Sequence, residues 1–402
     1  MKNFLKKLWD KINFKYVLFL TIFTLAILEI GCRIYMSRVL QKSANPKFCF
    51  DSYRIYKHVP NFHEGDGKRD WIVIDAQGFR RTTDVSLRKP AHTFRVFLLG
   101  GSAAHGISSA APYPIKHLYP DETIDAYLEK ELKAKHPGYN IEVINAAVTG
   151  YQVFQHTSYL LSELLDYDPD LVIFFDGAND HFVNNTDYNY YGDNIYQFWK
   201  PRLVNPSIAG SFNYFMLWLS KYSCMARLYM SWEMNSDASH AATQKYDLVS
   251  SKKFSNKEAF IEAHKQVARK QFLRSIETNI SILKNNHIEC IICLQPMQIF
   301  RDSTLYSPAE QSFAHLKDFS DYKILYPTVL EELKELTRRY NVSFVDVNNT
   351  FNDPKYKSQQ LFIDYCHLNA MGSEVSANAL LPIADSLFTQ REAQNEVLSV
   401  HP

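Results

Sequence analysis

Apolar and polar positions along this chain follow two rhythms. Short solid apolar runs alternate with longer stretches in which apolar residues recur three or four apart. The solid runs at Phe94–Leu99, Ile141–Asn145, Leu171–Phe175, Glu289–Leu294 and Val342–Val347 predict strands buried on both faces. The helical rhythm predicts helices over Asp121–Ala134, Val153–Leu165, Lys257–Lys284, Tyr326–Arg339 and Ala370–Leu387. Strands and helices taking turns in this way predict an α/β fold with a five-stranded parallel sheet covered on both sides.

The N-terminus follows neither rhythm. Lys2, Lys6, Lys7, Lys11 and Lys15 precede an apolar run from Tyr16 to Cys32 in which Glu29 is the only charge. That length predicts a transmembrane signal anchor over residues 16–33. The basic flank puts residues 1–15 in the cytoplasm and everything after Arg33 on the far side, which makes a single-pass protein with an extracytoplasmic domain. A cleaved signal peptide is one alternative. A lipoprotein signal ending in Leu28-Glu29-Ile30-Gly31-Cys32 is another, although Glu29 stands where such signals are apolar.

Residues 34–90 read as a stalk and a lead-in arm, with a short strand at Trp71–Asp75 and a turn at Gln77-Gly78. The main domain is expected over 91–390, with a tail at 391–402. An insertion over 184–255, rich in Tyr, Asn, Trp and Met and apolar from Phe212 to Trp232, leaves the sheet after its third strand. A segment of this length at that end of a sheet reads as a lid or substrate cap, or equally as an aromatic-rich subdomain or a membrane-leaning surface.

Composition narrows the classes. With 402 residues, 46% of them hydrophobic, the chain can bury a large core. Lys+Arg at 44 against Asp+Glu at 43 leaves a net charge of +1, which argues against a nucleic-acid partner. Six scattered cysteines are too few for a disulfide framework. Cys290 and Cys293 form a CxxC, but inside a predicted strand, where positions three apart face opposite sides, so they read as buried structural residues.

Four segments carry candidate chemistry. In Gly100-Gly101-Ser102-Ala103-Ala104-His105-Gly106, after the first strand, two glycines permit a sharp turn and small neighbours leave the Ser102 hydroxyl open. Ala104 stands where a GxSxG elbow needs glycine, and Ile107 where a P-loop carries lysine, so neither motif is present. After the second strand, Gly150 offers a backbone N–H; after the third, Asn179 offers a side-chain amide. Donors of these kinds suit a developing oxyanion, though a loop glycine and a turn asparagine look the same. Near the end, Asp364-Tyr365-Cys366-His367 places a carboxylate three residues before an imidazole that it can orient. No third ligand at metal spacing and no HExxH accompany the pair, so neither a metal nor a cofactor is expected. His105 could line the site, but reads as packing and is left out of the triad.

Across these four blocks, from about Trp71 to Leu387, the chain resembles the SGNH (GDSL-type) hydrolases, and the phrase Ile74-Asp75-Ala76-Gln77-Gly78-Phe79-Arg80 resembles a lead-in of membrane-anchored members. The resemblance implies a flavodoxin-like three-layer α/β/α sandwich, Ser102 as nucleophile, Asp364 and His367 as the rest of a triad, and Gly150 and Asn179 as oxyanion donors. The family's first block usually reads Gly-Asp-Ser; here Gly101 replaces the aspartate. Phe79 is expected to pack and Arg80 to pair at the surface. The expected activity is a serine esterase that removes acyl groups, acetyl among them, from an envelope glycan or lipid. An O-acyltransferase on an extracytoplasmic polysaccharide would use the same residues, and a non-catalytic binding protein would use the fold without them.

Overall fold

In the computed structural model the described residues are 14–38, 47–107, 117–182, 254–316 and 320–400, with 212, 215–216, 218–220, 222–230 and 232 between them. Most of the insertion expected over 184–255 lies outside the described residues, as do 1–13 and 39–46 of the N-terminal segments.

Helix α1 (Phe14–Arg38) contains the expected apolar run. Its stretch Phe14–Tyr35 has a mean hydropathy of 2.1 and none of its residues is fully buried, Glu29 and Cys32 being partly covered; it is long and apolar enough to cross a membrane.

The arm that follows is short-stranded but ordered against the core. Strands β1 (Phe48–Asp51) and β2 (Ile55–His58) pair antiparallel, as do β3 (His63–Gly65) and β4 (Asp70–Val73), the last falling where a strand was expected. Tyr56, Phe62, Ile72, Ile74 and Phe79 are buried. Phe79 packs as expected, with its ring 5.5 Å from that of Phe97 in the sheet.

The domain then runs β5 (Thr93–Gly100), α2 (Ser102–His105), α3 (Ile124–Lys135), β6 (Asn140–Asn145), α4 (Val153–Ser162) and β7 (Leu171–Asp176). It continues through α5 (Lys257–Ala268), α6 (Arg274–Asn285), β8 (Glu289–Leu294), α7 (Pro308–Phe313), α8 (Ser320–Tyr340), β9 (Ser343–Asp346), α9 (Val347–Phe351) and α10 (Ala370–Val400). The sheet order is β6-β5-β7-β8-β9 with every pair parallel, the flavodoxin-like arrangement.

Period-two alternation sorts each strand between two apolar layers. Phe97, Leu99, Val172, Phe174 and Ile292 face α4, α5, α6 and α8, whereas Val96, Leu98, Ile173, Phe175 and Ile291 face α3 and α10. Cys290 belongs to the first layer and Cys293 to the second, so the CxxC points through the sheet in both directions. Burial pushes the Cys290 thiol up to about 12 and Cys293 well above its ordinary value, so neither is a ready thiolate.

Two helices exceed their expected spans. α8 begins six residues before Tyr326 because Pro327, a typical first-turn residue, lies inside it. α10 carries Pro382 in its interior and runs on to Val400, through most of the expected tail.

Candidate active site

The strand order reverses between β5 and β7, the kind of switch point at which open α/β sheets bind ligands beyond their C-terminal edge. Ser102 opens the single-turn α2 directly after β5. Its turn is set by close approach. A Cβ on Gly100 would lie 2.6 Å from the Phe175 carbonyl oxygen of β7, and one on Gly101 would collide with the Asn179 side-chain amide. Gly101 is therefore the residue that lets Asn179 come up beside the serine.

A buried network braces α2 from beneath. Asn145, at the end of β6, donates to the Ala104 carbonyl at 3.0 Å and to Asp125 Oδ1 at 2.7 Å, and accepts the Ala147 N–H at 3.1 Å. Burial pushes the Asp125 carboxyl up, against the pull of Arg80. Arg80 corrects one expectation: it does not pair at the surface. Only 3% exposed, it donates to the carbonyls of Trp71 at 2.8 Å, Gly106 at 3.3 Å and Leu118 at 3.1 Å. Desolvation lowers its pKa to about 10, partly opposed by Asp125. His105 is fully buried with its ring 4.9 Å from that of His58, and it packs as expected.

Gly150 sits at φ +81°, a conformation glycine adopts without strain. Its turn is tied to β5 by Val148 N–H to the Gly100 carbonyl at 3.1 Å, and to the arm by Tyr56 Oη to the Thr149 carbonyl at 3.0 Å. Tyr151 Oη donates back to the Tyr56 carbonyl. Asn179 Nδ2 donates to the Tyr151 carbonyl at 2.9 Å, while the Asn179 carbonyl accepts Gln152 Nε2 at 2.6 Å. Gly101, Tyr151 and Asn179 thus meet at one point, with Gly150 adjoining.

His367 reaches Ser102 from the opposite side. Its Nε2 lies 2.7 Å from Ser102 Oγ, and its Nδ1 lies 2.6 Å from Asp364 Oδ2. Asp364 Oδ1 accepts the N–H groups of Cys366 at 2.9 Å and His367 at 2.8 Å, so the carboxylate fixes both the ring and the backbone that carries it. Burial opposes charge on both partners, but each stabilises the other's charged form. The Asp364 carboxyl is held below its usual range; His367, with Cys366 and Asp364 beside it, is raised well above its own. The three sequence-predicted triad residues are therefore in hydrogen-bonding line; Asn179 comes up to Gly101 beside Ser102, and Gly150 is the chain neighbour of Tyr151, whose carbonyl lies near Gly101.

The hairpin bearing Asp364 and His367 is closed by Ile363 N–H to the His367 carbonyl at 2.9 Å and Asn369 N–H to the Leu361 carbonyl at 3.0 Å. Asn369 Oδ1 caps α10 by accepting the Gly372 N–H at 2.8 Å. Beneath the hairpin lies a pair that sequence reasoning missed: Glu310 and Arg301, 2.6 Å apart with both side chains 0% exposed. Glu310 accepts the N–H groups of Leu361 at 3.0 Å and Phe362 at 3.2 Å, while Arg301 donates to the carbonyls of Phe351, Tyr356 and Gln359. Gln295 adds a bond to the Cys366 carbonyl at 3.3 Å and is itself held by Asn348. The Asn145 and Arg80 contacts were missed as well, and only a strand-ending asparagine hinted at the first.

Asp364, Cys366 and His367 also bring three potential ligand atoms within 4.8 Å of one another. Metal binding there would break the contacts just described, because both His367 ring nitrogens face hydrogen-bond partners.

No family model and no curated protein matches the chain. Solved structures do resemble it in outline. The acetyl xylan esterase AlAXEase is 14% identical at a TM-score of 0.38, over 72% of this chain and 99% of that one. Axe2, an acetylxylan esterase from Geobacillus stearothermophilus, is 14% identical at a TM-score of 0.35, over 73% of this chain and 93% of its own. A GDSL-like lipase, so described, from Parabacteroides merdae is 12% identical at 0.38, over 76% and 100%. At these identities and scores the likenesses decide nothing about chemistry, which rests on the residues themselves.

Proposed function

We propose that this chain is a serine acylhydrolase of the SGNH type, working on an acyl ester outside the cytoplasm and tethered there by α1. One observation carries the reading: His367 bridges Ser102 Oγ at 2.7 Å and Asp364 Oδ2 at 2.6 Å through its two ring nitrogens. In the proposed reaction neutral His367 takes the Ser102 proton as Oγ attacks the ester carbonyl, and Asp364 stabilises the imidazolium that forms. The oxyanion is held by the Ser102 N–H, which at a helix start has no intrahelical partner, together with Gly150 N–H and the Asn179 amide. His367 then returns its proton to the departing alcohol, and water repeats the sequence on the acyl-enzyme. A sugar hydroxyl in place of that water would make the chain an acyltransferase on the same residues. The acyl carrier is proposed to be an envelope carbohydrate or lipid, with an acetyl group among the candidates.

The test is labelling of the full chain by a serine-directed fluorophosphonate, followed by an acetyl-ester assay. Labelling should map to Ser102, and Ser102→Ala should abolish it and cut turnover by about 10^6-fold. Hydrolysis unchanged in Ser102→Ala would sink the proposal. An added acceptor glycan, with its mass followed, separates transfer from hydrolysis. Retention of the chain in washed membranes tests the anchor.

A further inference from the structure

Glu29 is the only acidic residue in α1, and the insertion supplies its partners. Its Oε1 accepts the Cys224 N–H at 2.7 Å; its Oε2 accepts Ser223 Oγ at 2.8 Å and the Met225 N–H at 3.2 Å. One turn on, Arg33 pairs with Glu29 at 3.0 Å and donates to the Tyr222 carbonyl at 3.0 Å. Helical residues 224–230 therefore start on a carboxylate borrowed from the anchor. At 1.5 Å per residue, Glu29 lies about 6 Å inside the end of the span at Arg33. A carboxylate at that depth needs polar partners, and these are backbone groups of the insertion. Residues 222–225 must share its depth.

The neighbouring side chains suit the same location. Phe212, Phe215, Trp218 and Tyr222 recur at intervals of three and four along the sequence, and each is about half exposed or more. Trp232 is 67% exposed. Their rings form two groups: Phe215 to Trp218 at 6.0 Å with Trp218 to Tyr222 at 5.6 Å, and Phe212 to Tyr229 at 5.7 Å with Tyr229 to Trp232 at 6.4 Å. An exposed aromatic surface of this extent is costly in water, whereas Trp and Tyr are favoured at the level of lipid headgroups.

We infer that residues 212–232 dock in the outer interface of the same bilayer that holds α1, with the aromatic rings among headgroups and upper acyl chains and Glu29 as the tether. The occupant is lipid because this surface adjoins α1, whose apolar side chains are exposed along the stretch. The inference rests on α1 being a membrane span. Because the insertion leaves the sheet after β7, on the edge that carries Asn179, docking would tie the candidate active site to the membrane surface.

The test uses the full chain with Trp9→Phe and Trp199→Phe, reconstituted in phosphatidylcholine nanodiscs with or without brominated acyl chains. Brominated lipid should lower tryptophan emission at least twofold. The further changes Trp218→Phe and Trp232→Phe should remove that quenching, and Glu29→Leu, which keeps the span apolar but cuts the tether, should reduce it. A chain that co-elutes with the discs yet shows no quenching overturns the docking and leaves the anchor standing. A chain that does not co-elute overturns the anchor itself. Two chains per disc with unquenched tryptophans would assign the surface to a second copy, which also overturns it.

Discussion

Ser102 and His367 meet at 2.7 Å, yet the turn that carries the serine and the hairpin that carries the histidine are built by different means. The serine turn is positioned by exclusion: Gly100 lies too close to the β7 backbone for a Cβ, and a Cβ at Gly101 fits only if the Asn179 amide moves away. The histidine hairpin is positioned by charge, since Glu310, wholly buried against Arg301, collects the Leu361 and Phe362 N–H groups just ahead of Asp364. Exclusion is local, and a substitution there should displace catalytic atoms without touching the core. Buried charge is shared by several loops, and removing it should cost the fold first.

The largest effect expected from this contrast is on the charged side. Glu310→Ala leaves the Arg301 guanidinium uncompensated in a dry interior, a change that costs about 3–5 kcal/mol. Urea unfolding should therefore show a much lower midpoint, and the activity of the remaining folded chain should fall because the hairpin loses two of its anchors. A midpoint shift below about 1 kcal/mol equivalent would show that the hairpin does not depend on the pair.

Gly101→Ala should behave in the opposite way. Its methyl group displaces the Asn179 amide, and loss of one oxyanion donor lowers kcat by about 10^2–10^3-fold. The unfolding midpoint should hardly change, and KM for a small ester should stay within a few fold. If kcat survives while stability drops, the glycine serves the fold, and the close approach to Asn179 has no catalytic meaning.

The same contrast explains what could be read from the residues alone. Strands β5 to β9 were legible to within one or two residues because runs buried on both faces tolerate few polar interruptions. Ser102, Asp364 and His367 were legible because each lies on a loop directly beyond such a run or just before the last helix. Arg301 and Glu310 were not: nine residues apart, one before and one in the first turn of the short α7, they look like any two surface charges, and nothing local announces that both will be enclosed. Arg80 failed for the same reason, as its three carbonyl partners come from segments up to 38 residues away. The early start of α8 was hidden by Pro327, whose chemistry suits the first turn of a helix and is disfavoured in the interior where it lies.

The last test, read first as a shift in pH midpoint, addresses the junction of the two halves, where His367 is proposed to receive the serine proton. The carboxylate of Asp364 and the neighbouring Cys366 hold the imidazolium in place against a desolvation penalty, with the net result that the His367 pKa lies well above 6.5. Only the neutral ring can accept a proton, so kcat/KM should climb as pH rises through that raised value, giving a midpoint on the alkaline side of an ordinary histidine. Asp364→Asn removes the carboxylate but leaves the burial. The midpoint should then move downward, while the rate itself falls by about 10^4-fold because the ring loses its orientation. NMR titration of nitrogen-labelled histidine in the Ser102→Ala background follows the same group without needing turnover. A His367 midpoint at or below 6.5, unmoved by Asp364→Asn, would mean that the 2.6 Å contact orients the ring without setting its charge.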